Sequence, residues 1–142
     1  MKKTAVYIFA GIICLSIGLG WYLSPMPLNS LVEEQMQIED VEEIGIDILT
    51  VYLHENYKVK DKEDIDKIIN AFEILKVRRV ISPPVTFRPP SGKTYYFTLI
   101  SENKAVPIVI MDKDYLTVMR QTYKIVKSPD LKQIDDIIDS LK

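Results

Sequence analysis

The fold of this chain is decided by residues 94–111, TYYFTLISENKAVPIVIM. Two runs rich in β-branched and aromatic residues, 94–101 and 105–111, flank a polar turn sequence at 102–104. Such residues fit a pleated, half-buried surface, and a short polar turn between two such runs indicates a β-hairpin. Pro107 has no N–H to donate to a neighbouring strand, so we expect the second run to lie near a sheet edge.

Two amphipathic helices are predicted on either side of this hairpin. Residues 61–75 begin with Asp61 as an N-cap and carry apolar side chains at the helical period. These apolar positions are Ile65, Ile68, Ile69, Phe72 and Leu75. Residues 128–141 begin with Ser128 as a cap and Pro129 in the first turn. Their apolar positions are Leu131, Ile134, Ile137, Ile138 and Leu141.

The remaining strand-like segments complete the predicted sheet. Residues 44–54, IGIDILTVYLH, form the first strong strand signal, followed by a turn at Glu55-Asn56 and a short return strand at 57–60. Further strands are predicted at 77–81, 115–119 and 123–126, with a turn at 112–114. Hairpins with few helices indicate an α+β fold. We predict a small antiparallel sheet with two helices packed on one face, preceded by a transmembrane helix.

The N-terminal segment is apolar enough to enter a membrane. Residues 4–23 contain twenty uncharged residues, which span ~30 Å as a helix, the thickness of a bilayer core. Lys2 and Lys3 precede this segment and favour a cytoplasmic N-terminus, while Trp21 and Tyr22 suit the opposite interface. We therefore expect a single-pass membrane anchor with residues 24–142 outside the cytoplasm.

Two other fates of the N-terminal segment stay open. A signal peptide could be cleaved before Trp21, where Gly18-Leu19-Gly20 supplies small residues, and the protein would then be secreted. Acylation of Cys14 would make a lipoprotein, although Ile13 stands where such signals have a small residue.

The chain is thus divided into three predicted regions. Residues 1–23 are the anchor or signal segment, 24–43 an acidic stalk and 44–142 an extracytoplasmic α+β domain. A short helix is expected near residues 30–36 of the stalk. Its apolar side chains either pack on the domain or stay loose.

Composition excludes several classes of function. Beyond Lys2 and Lys3 the chain has 16 basic and 20 acidic residues, so no global charge attracts nucleic acid. The chain has one cysteine and one histidine, so it cannot build a cysteine-rich metal site or a site with two histidine ligands. We expect no cofactor and no bound metal.

The sequence Ser91-Gly92-Lys93-Thr94 resembles the end of a phosphate-binding loop. A phosphate-binding loop also needs a glycine five positions before Gly92, where Phe87 stands, and a helix after it, where a strand is predicted. We therefore expect no nucleotide binding. Residues 82–92 instead read as a proline-rich loop ending in a glycine turn.

The basic residues around this loop are the candidate contact site. Arg79, Arg88 and Lys93 would converge if the loop folds back, with Phe87 and Tyr95 beside them. Such a site suits an anionic envelope component or a protein partner. His54 has no catalytic partner evident nearby, and the carboxylates at 135–139 read as a solvated acidic face.

The layout resembles small extracytoplasmic domain families of unknown function from Gram-positive bacteria, either membrane-anchored or lipoprotein-like. The resemblance rests on the helix DKEDIDKIINAF, the strands KTYYFTLI, VPIVIM and QTYKIV, and the final helix LKQIDDIIDSL. It implies location and fold and favours a non-catalytic binding or regulatory module at the cell surface. A hydrolase acting on envelope material and an accessory subunit of a membrane complex are the alternatives.

Overall fold

The computed structural model describes residues 2–81, 93–110, 114–128 and 131–141. Within these residues the chain forms four α-helices, one 3₁₀ turn and eight strands. The helices are α1 Lys2–Tyr22, α2 Leu28–Glu33, α3 Lys62–Ile74 and α4 Leu131–Ser140, and the 3₁₀ turn is Ile38–Asp40. The strands are β1 Met26–Pro27, β2 Glu43–Thr50, β3 His54–Val59, β4 Lys76–Arg79, β5 Lys93–Ile100, β6 Ala105–Ile110, β7 Tyr115–Val118 and β8 Gln121–Lys127.

All eight strands belong to one sheet, in the order β1-β4-β8-β7-β6-β5-β2-β3. Every neighbouring pair is antiparallel. The predicted α+β class with an antiparallel sheet is therefore confirmed, although the sheet is larger than the sequence suggested. The described strands β3 and β1 lie at its two edges.

The predicted hairpin of residues 94–111 is present as β5 and β6, which are joined by the turn at Ser101–Lys104. Directly opposite residues share a face of the sheet. Ile46, Phe97 and Ile108 stand opposite one another in three adjacent strands, and all three are buried. Buried and more exposed residues alternate along these strands, so the core lies against one face of the sheet.

The expectation that Pro107 marks a sheet edge is wrong, because β6 pairs with both β5 and β7. The pairing with β7 ends at Ile108 and Val118, so Pro107 lies just beyond it. The Pro107 carbonyl accepts a hydrogen bond from the Met119 N–H at 3.2 Å, which shows that its nitrogen also faces the end of β7. Pro107, which has no N–H to donate, therefore lies where the regular β6–β7 pairing stops.

Helix α3 forms as its sequence predicts. The Asp61 side chain accepts hydrogen bonds from the N–H groups of Glu63 and Asp64, which satisfies two of the unpaired donors of the first turn. The apolar side of α3 is buried, and the Phe72 ring packs edge-on against Phe97 of β5 with ring centroids 5.1 Å apart. This contact joins the helix to the centre of the sheet.

The N-terminal apolar segment is helical. Residues Thr4–Tyr22 are long and apolar enough to cross a bilayer, and none of this helix is buried in the protein. A signal sequence satisfies the same criteria of length and composition. At its end, the Tyr22 ring lies against the Arg79 guanidinium, with Cζ 5.0 Å from the ring centroid.

Residues 24–43 differ from the predicted stalk. Met26 and Pro27 pair with β4 as an edge strand, and the N–H of Leu28 donates to the carbonyl of Leu75 at 2.9 Å. Several apolar side chains of this segment are buried in the core: Leu28, Leu31, Val32, Met36 and Val41. Of the two alternatives that the sequence left open for the apolar residues, packing on the domain is the one observed.

The first hairpin also differs from its prediction. Strand β2 ends at Thr50, and Glu55 and Asn56, predicted as a turn, lie inside β3 opposite Ile48 and Asp47. The predicted loop at 82–92, the turn at 112–113 and the helix-starting Pro129 lie outside the described residues.

Candidate functional site

The turn between β2 and β3 exposes three apolar side chains. The Thr50 N–H donates to the Leu53 carbonyl at 2.8 Å, and Thr50 Oγ1 accepts from the Leu53 N–H at 2.9 Å. These bonds close a tight turn whose side chains Val51, Tyr52 and Leu53 are 75%, 93% and 56% exposed. We name residues 51–53 the apolar turn. An exposed apolar cluster of this kind marks an interaction site more often than a single exposed side chain does.

A charged cluster lies beside this turn, between the start of β5 and α4. Asp135 Oδ1 accepts hydrogen bonds from Lys93 Nζ at 2.8 Å and from the Tyr95 hydroxyl at 2.7 Å. The Lys93 ammonium also lies 5.3 Å from the centroid of the Tyr95 ring. We name Lys93, Tyr95 and Asp135 the polar clamp, because the three side chains tie α4 to β5.

Lys93 and Tyr95 of the polar clamp both hold their protons at neutral pH. The hydrogen bond to Asp135 raises the pKa of Lys93 above its usual range. Burial, and then the hydrogen bond to Asp135, raises the pKa of Tyr95. Lysine is therefore an ammonium and tyrosine a neutral phenol at neutral pH, so neither is poised to exchange a proton in catalysis.

A small cleft separates the apolar turn from α4. It has a volume of about 110 Å³ and is lined by Ile48, Thr50, Leu53, Glu55, Lys93, Asp135, Ile138 and Asp139. Small-molecule sites usually measure roughly 300–1,000 Å³. The cleft matches the size of one side chain of a partner rather than that of a drug-sized ligand.

The other face of the sheet carries the single histidine. Asp47 Oδ1 accepts from Asn56 Nδ2 at 2.6 Å and lies 3.1 Å from His54 Nε2. The bond from Asn56 is the main cause that lowers the pKa of Asp47, and the bond from His54 adds to it. The histidine thus has a carboxylate partner that the sequence did not reveal. Its side chain is 61% exposed, so the pair lies in water.

The predicted contact residues are divided between two places. Arg79 lies on β4 and Lys93 on β5, with β8, β7 and β6 between them, about 19 Å across the sheet. Arg79 and Lys93 therefore do not form one site, which corrects the expected convergence. Lys93 and Tyr95 are brought together in the polar clamp, while Phe87 and Arg88 lie outside the described residues.

Arg79 instead contacts the N-terminal part of the chain. Its Nη2 lies 3.5 Å from Glu34 Oε1, and its guanidinium lies against the Tyr22 ring. The contact ties the end of α1 to β4 and to the segment after α2. For the anchor residues Lys2 and Lys3 the structure describes only a helical backbone, whereas Trp21 and Tyr22 are exposed on α1.

Sequence reasoning missed two parts of the site. The sequence indicates a solvated acidic face at Asp135, yet this residue is half-buried against residues some 40 positions earlier in the chain. The apolar turn was assigned to a strand. The apolar residues change from even to odd positions at Leu49, and this change was the one local signal of the apolar turn. The end of β2 at Thr50 explains it.

Two wider clefts border residues 27–42. One, of about 550 Å³, lies between this segment and the Ser101–Lys104 turn, and the other, of about 480 Å³, lies beside α2. Both are open and lined mainly by polar and acidic side chains. Among the described residues, no group of three or more His, Cys, Asp or Glu side chains is arranged to hold a metal ion.

No protein-family model, no curated protein and no solved structure matches this chain. The class defined by fold and site is an α+β domain with an apolar helix at its N-terminus and an exposed apolar turn beside a charged cluster.

Proposed function

We propose that this protein is a membrane-anchored, non-catalytic binding module that docks a partner protein on the apolar turn. The observation that carries the proposal is the exposure of Val51, Tyr52 and Leu53 together at one turn. Exposing three adjacent apolar side chains to water is unfavourable unless a partner covers them. The Tyr52 ring offers a large contact area with little loss of conformational entropy.

The polar clamp supports this proposal by shaping the surface next to the apolar turn. Leu53 lines the same cleft as Lys93 and Asp135, so an apolar side chain of the partner would meet a small, charge-rimmed recess. An apolar centre with a polar rim is the usual anatomy of a protein interface.

We also propose the arrangement of the protein at the membrane. Helix α1 would span the bilayer with Lys2 and Lys3 inside, and the domain would lie at the outer surface, as the resemblance to small extracytoplasmic families implies. Helices α3 and α4 would cover one face of the sheet. Phe72 against Phe97, and the burial of Ile138 in the same core, support that arrangement.

In-cell photocrosslinking tests the docking surface. A photoreactive phenylalanine analogue at position 52 should give a discrete crosslinked product, because Tyr52 would lie inside the interface. The same analogue at Lys62, an exposed residue at the start of α3, is the matched control. Val51→Ser with Leu53→Ser should abolish the product while leaving the thermal midpoint of the domain unchanged. Equal crosslinking at positions 52 and 62 would contradict the proposal.

A second candidate function is a hydrolase that uses His54. The observation in its favour is the Asp47 carboxylate 3.1 Å from the imidazole, which would orient the ring as in a general-base pair. The exposure of His54 argues against it, because a general base acts best in a cleft that excludes water.

A further inference from the structure

The turn between β7 and β8 consists of two residues in an unfavourable backbone conformation. Val118 pairs with Gln121, so Met119 and Arg120 alone connect the strands. Both have positive φ angles, 49° and 80°. Two-residue hairpin turns with positive φ at both positions favour Asn-Gly, because a bulky L-residue is strained there. A methionine and an arginine thus occupy two positions whose backbone conformation disfavours them.

This turn lies near the end of α1. Met119 and Glu34 line the same cavity of about 340 Å³, and Glu34 pairs with the Arg79 whose guanidinium contacts Tyr22. On the neighbouring strand, the Tyr123 hydroxyl donates to Gln121 Oε1 at 2.8 Å, directly beside Arg120. Tyr123 stands opposite Arg79 in the β4–β8 pair, and the Arg79 guanidinium contacts the Tyr22 ring, so the end of α1 lies close to β8 beside this turn.

The Met119 side chain is nevertheless 43% exposed, and Arg120 is also exposed. The end of α1 therefore approaches the turn without covering it. If α1 spans a bilayer, residues that surround Tyr22 lie at the level of the lipid headgroups, since aromatic residues at the end of a membrane helix occupy that level.

We infer that the Met119-Arg120 turn contacts the bilayer surface. The domain is less stable with these two residues than it would be with residues that fit the turn. Met119 would insert its flexible, apolar side chain among the headgroups, and the Arg120 guanidinium would bind lipid phosphate oxygens. The inference rests on the proposed function, in that α1 must be in the membrane. The apolar turn at 51–53 would remain free of lipid. It lies beyond the opposite end of the strands and three strands away, about 25 Å from Met119.

Fluorescence quenching of the full-length protein in vesicles tests the contact. The vesicles contain phosphatidylcholine, phosphatidylglycerol and a lipid with a nitroxide on its headgroup. Single cysteines at 119, 120 or 52 carry a fluorophore in a Cys14→Ser background, and Trp21, the sole tryptophan, reports on the anchor. We expect quenching of Trp21 and of labels at 119 and 120, at least twofold stronger than quenching of the label at Tyr52.

Quenching of Trp21 tests membrane insertion of α1, and quenching of the labels at 119 and 120 tests the inference separately. An unquenched Trp21 would refute membrane insertion and, with it, the proposed function. A quenched Trp21 with labels at 119 and 120 no more quenched than the label at 52 would overturn the inference alone.

The loss of folding stability at the Met119-Arg120 turn is tested without any label. Met119→Asn with Arg120→Gly should raise the thermal midpoint of the domain by several degrees, because Asn-Gly fits a turn with two positive φ angles. An unchanged or lower midpoint would overturn the statement that stability is given up at this turn.

Discussion

Asp47 shows how one side chain of an exposed strand face is fixed by its neighbours across the β2–β3 hairpin. Asn56 lies directly opposite it and His54 lies diagonally from it, and both contact the same carboxylate oxygen. These contacts keep the carboxylate ionised, because hydrogen bonds to the charged form lower its pKa. The cluster therefore contributes to stability only where Asp47 is charged.

The pH dependence of this cluster follows from the lowered pKa of Asp47. Its contribution is fully present above the ordinary pKa of an aspartate and is lost as the pH falls through the lower pKa of the folded state. Asn56→Ala removes the main cause of the shift, so it should lower the urea midpoint at about pH 7 and much less at about pH 2.5. The measurement is urea unfolding at both pH values. Asn70→Ala, on the exposed side of α3, should shift both midpoints to the same extent, because it changes only helix propensity. An equal penalty at both pH values for Asn56→Ala would show that Asp47 is not the group concerned.

At the scale of elements, α4 depends on the polar clamp as well as on its apolar side. Ile138 is buried, and Ile137 and Leu141 pack partly against the same core. Asp135 adds directional bonds to Lys93 and to the buried Tyr95 hydroxyl. The clamp therefore fixes where α4 lies along β5, and so defines the cleft beside the apolar turn.

Asp135→Ala should loosen α4 while the rest of the fold persists. The buried Tyr95 hydroxyl would lose its acceptor, which costs about 1 kcal/mol once the half-exposure of the clamp is taken into account. Hydrogen exchange should accelerate in α4 and remain unchanged in α3. Asp136→Ala is the matched control, because Asp136 is exposed on the same helix. If both variants exchange alike, the clamp does not hold the helix.

At the scale of the whole molecule, residues 24–43 belong to the core of the domain. Their five buried apolar side chains, each contributing ~1.5–3 kcal/mol, together supply on the order of 10 kcal/mol. That figure is comparable to the whole stability of an ordinary domain. The segment thus packs on the sheet directly after α1, and Arg79 adds contacts with Glu34 and Tyr22.

Truncation tests this role directly. A chain beginning at residue 24 should unfold in one cooperative transition, because it keeps every buried side chain of the core. A chain beginning at residue 44 should show no cooperative transition, since it lacks β1, α2 and their buried residues. Circular dichroism during thermal unfolding distinguishes the two. Cooperative unfolding of the shorter chain at the same temperature would mean that residues 24–43 are a dispensable spacer.

Much of the fold was predictable because its signals are local. The apolar period and the Asp61 cap identify α3, and the alternation of residues identifies β5 and β6. The N-terminal apolar helix needs only its length and composition. The antiparallel α+β class follows from the order of these elements.

The other features of the fold and of the candidate site depend on contacts between residues that are distant in sequence. Pro107 lies in an inner strand because β7 ends beside it. The acidic segment 24–43 packs on the domain because its few apolar side chains are buried in the core. The partner of Lys93 is an aspartate 42 positions away, and Arg79 lies on a strand that the sheet order separates from β5. The sequence by itself determined the elements, since hydrophobic period and capping act within a few residues. Only the tertiary structure decided which side chains meet, because strand order and register set those distances.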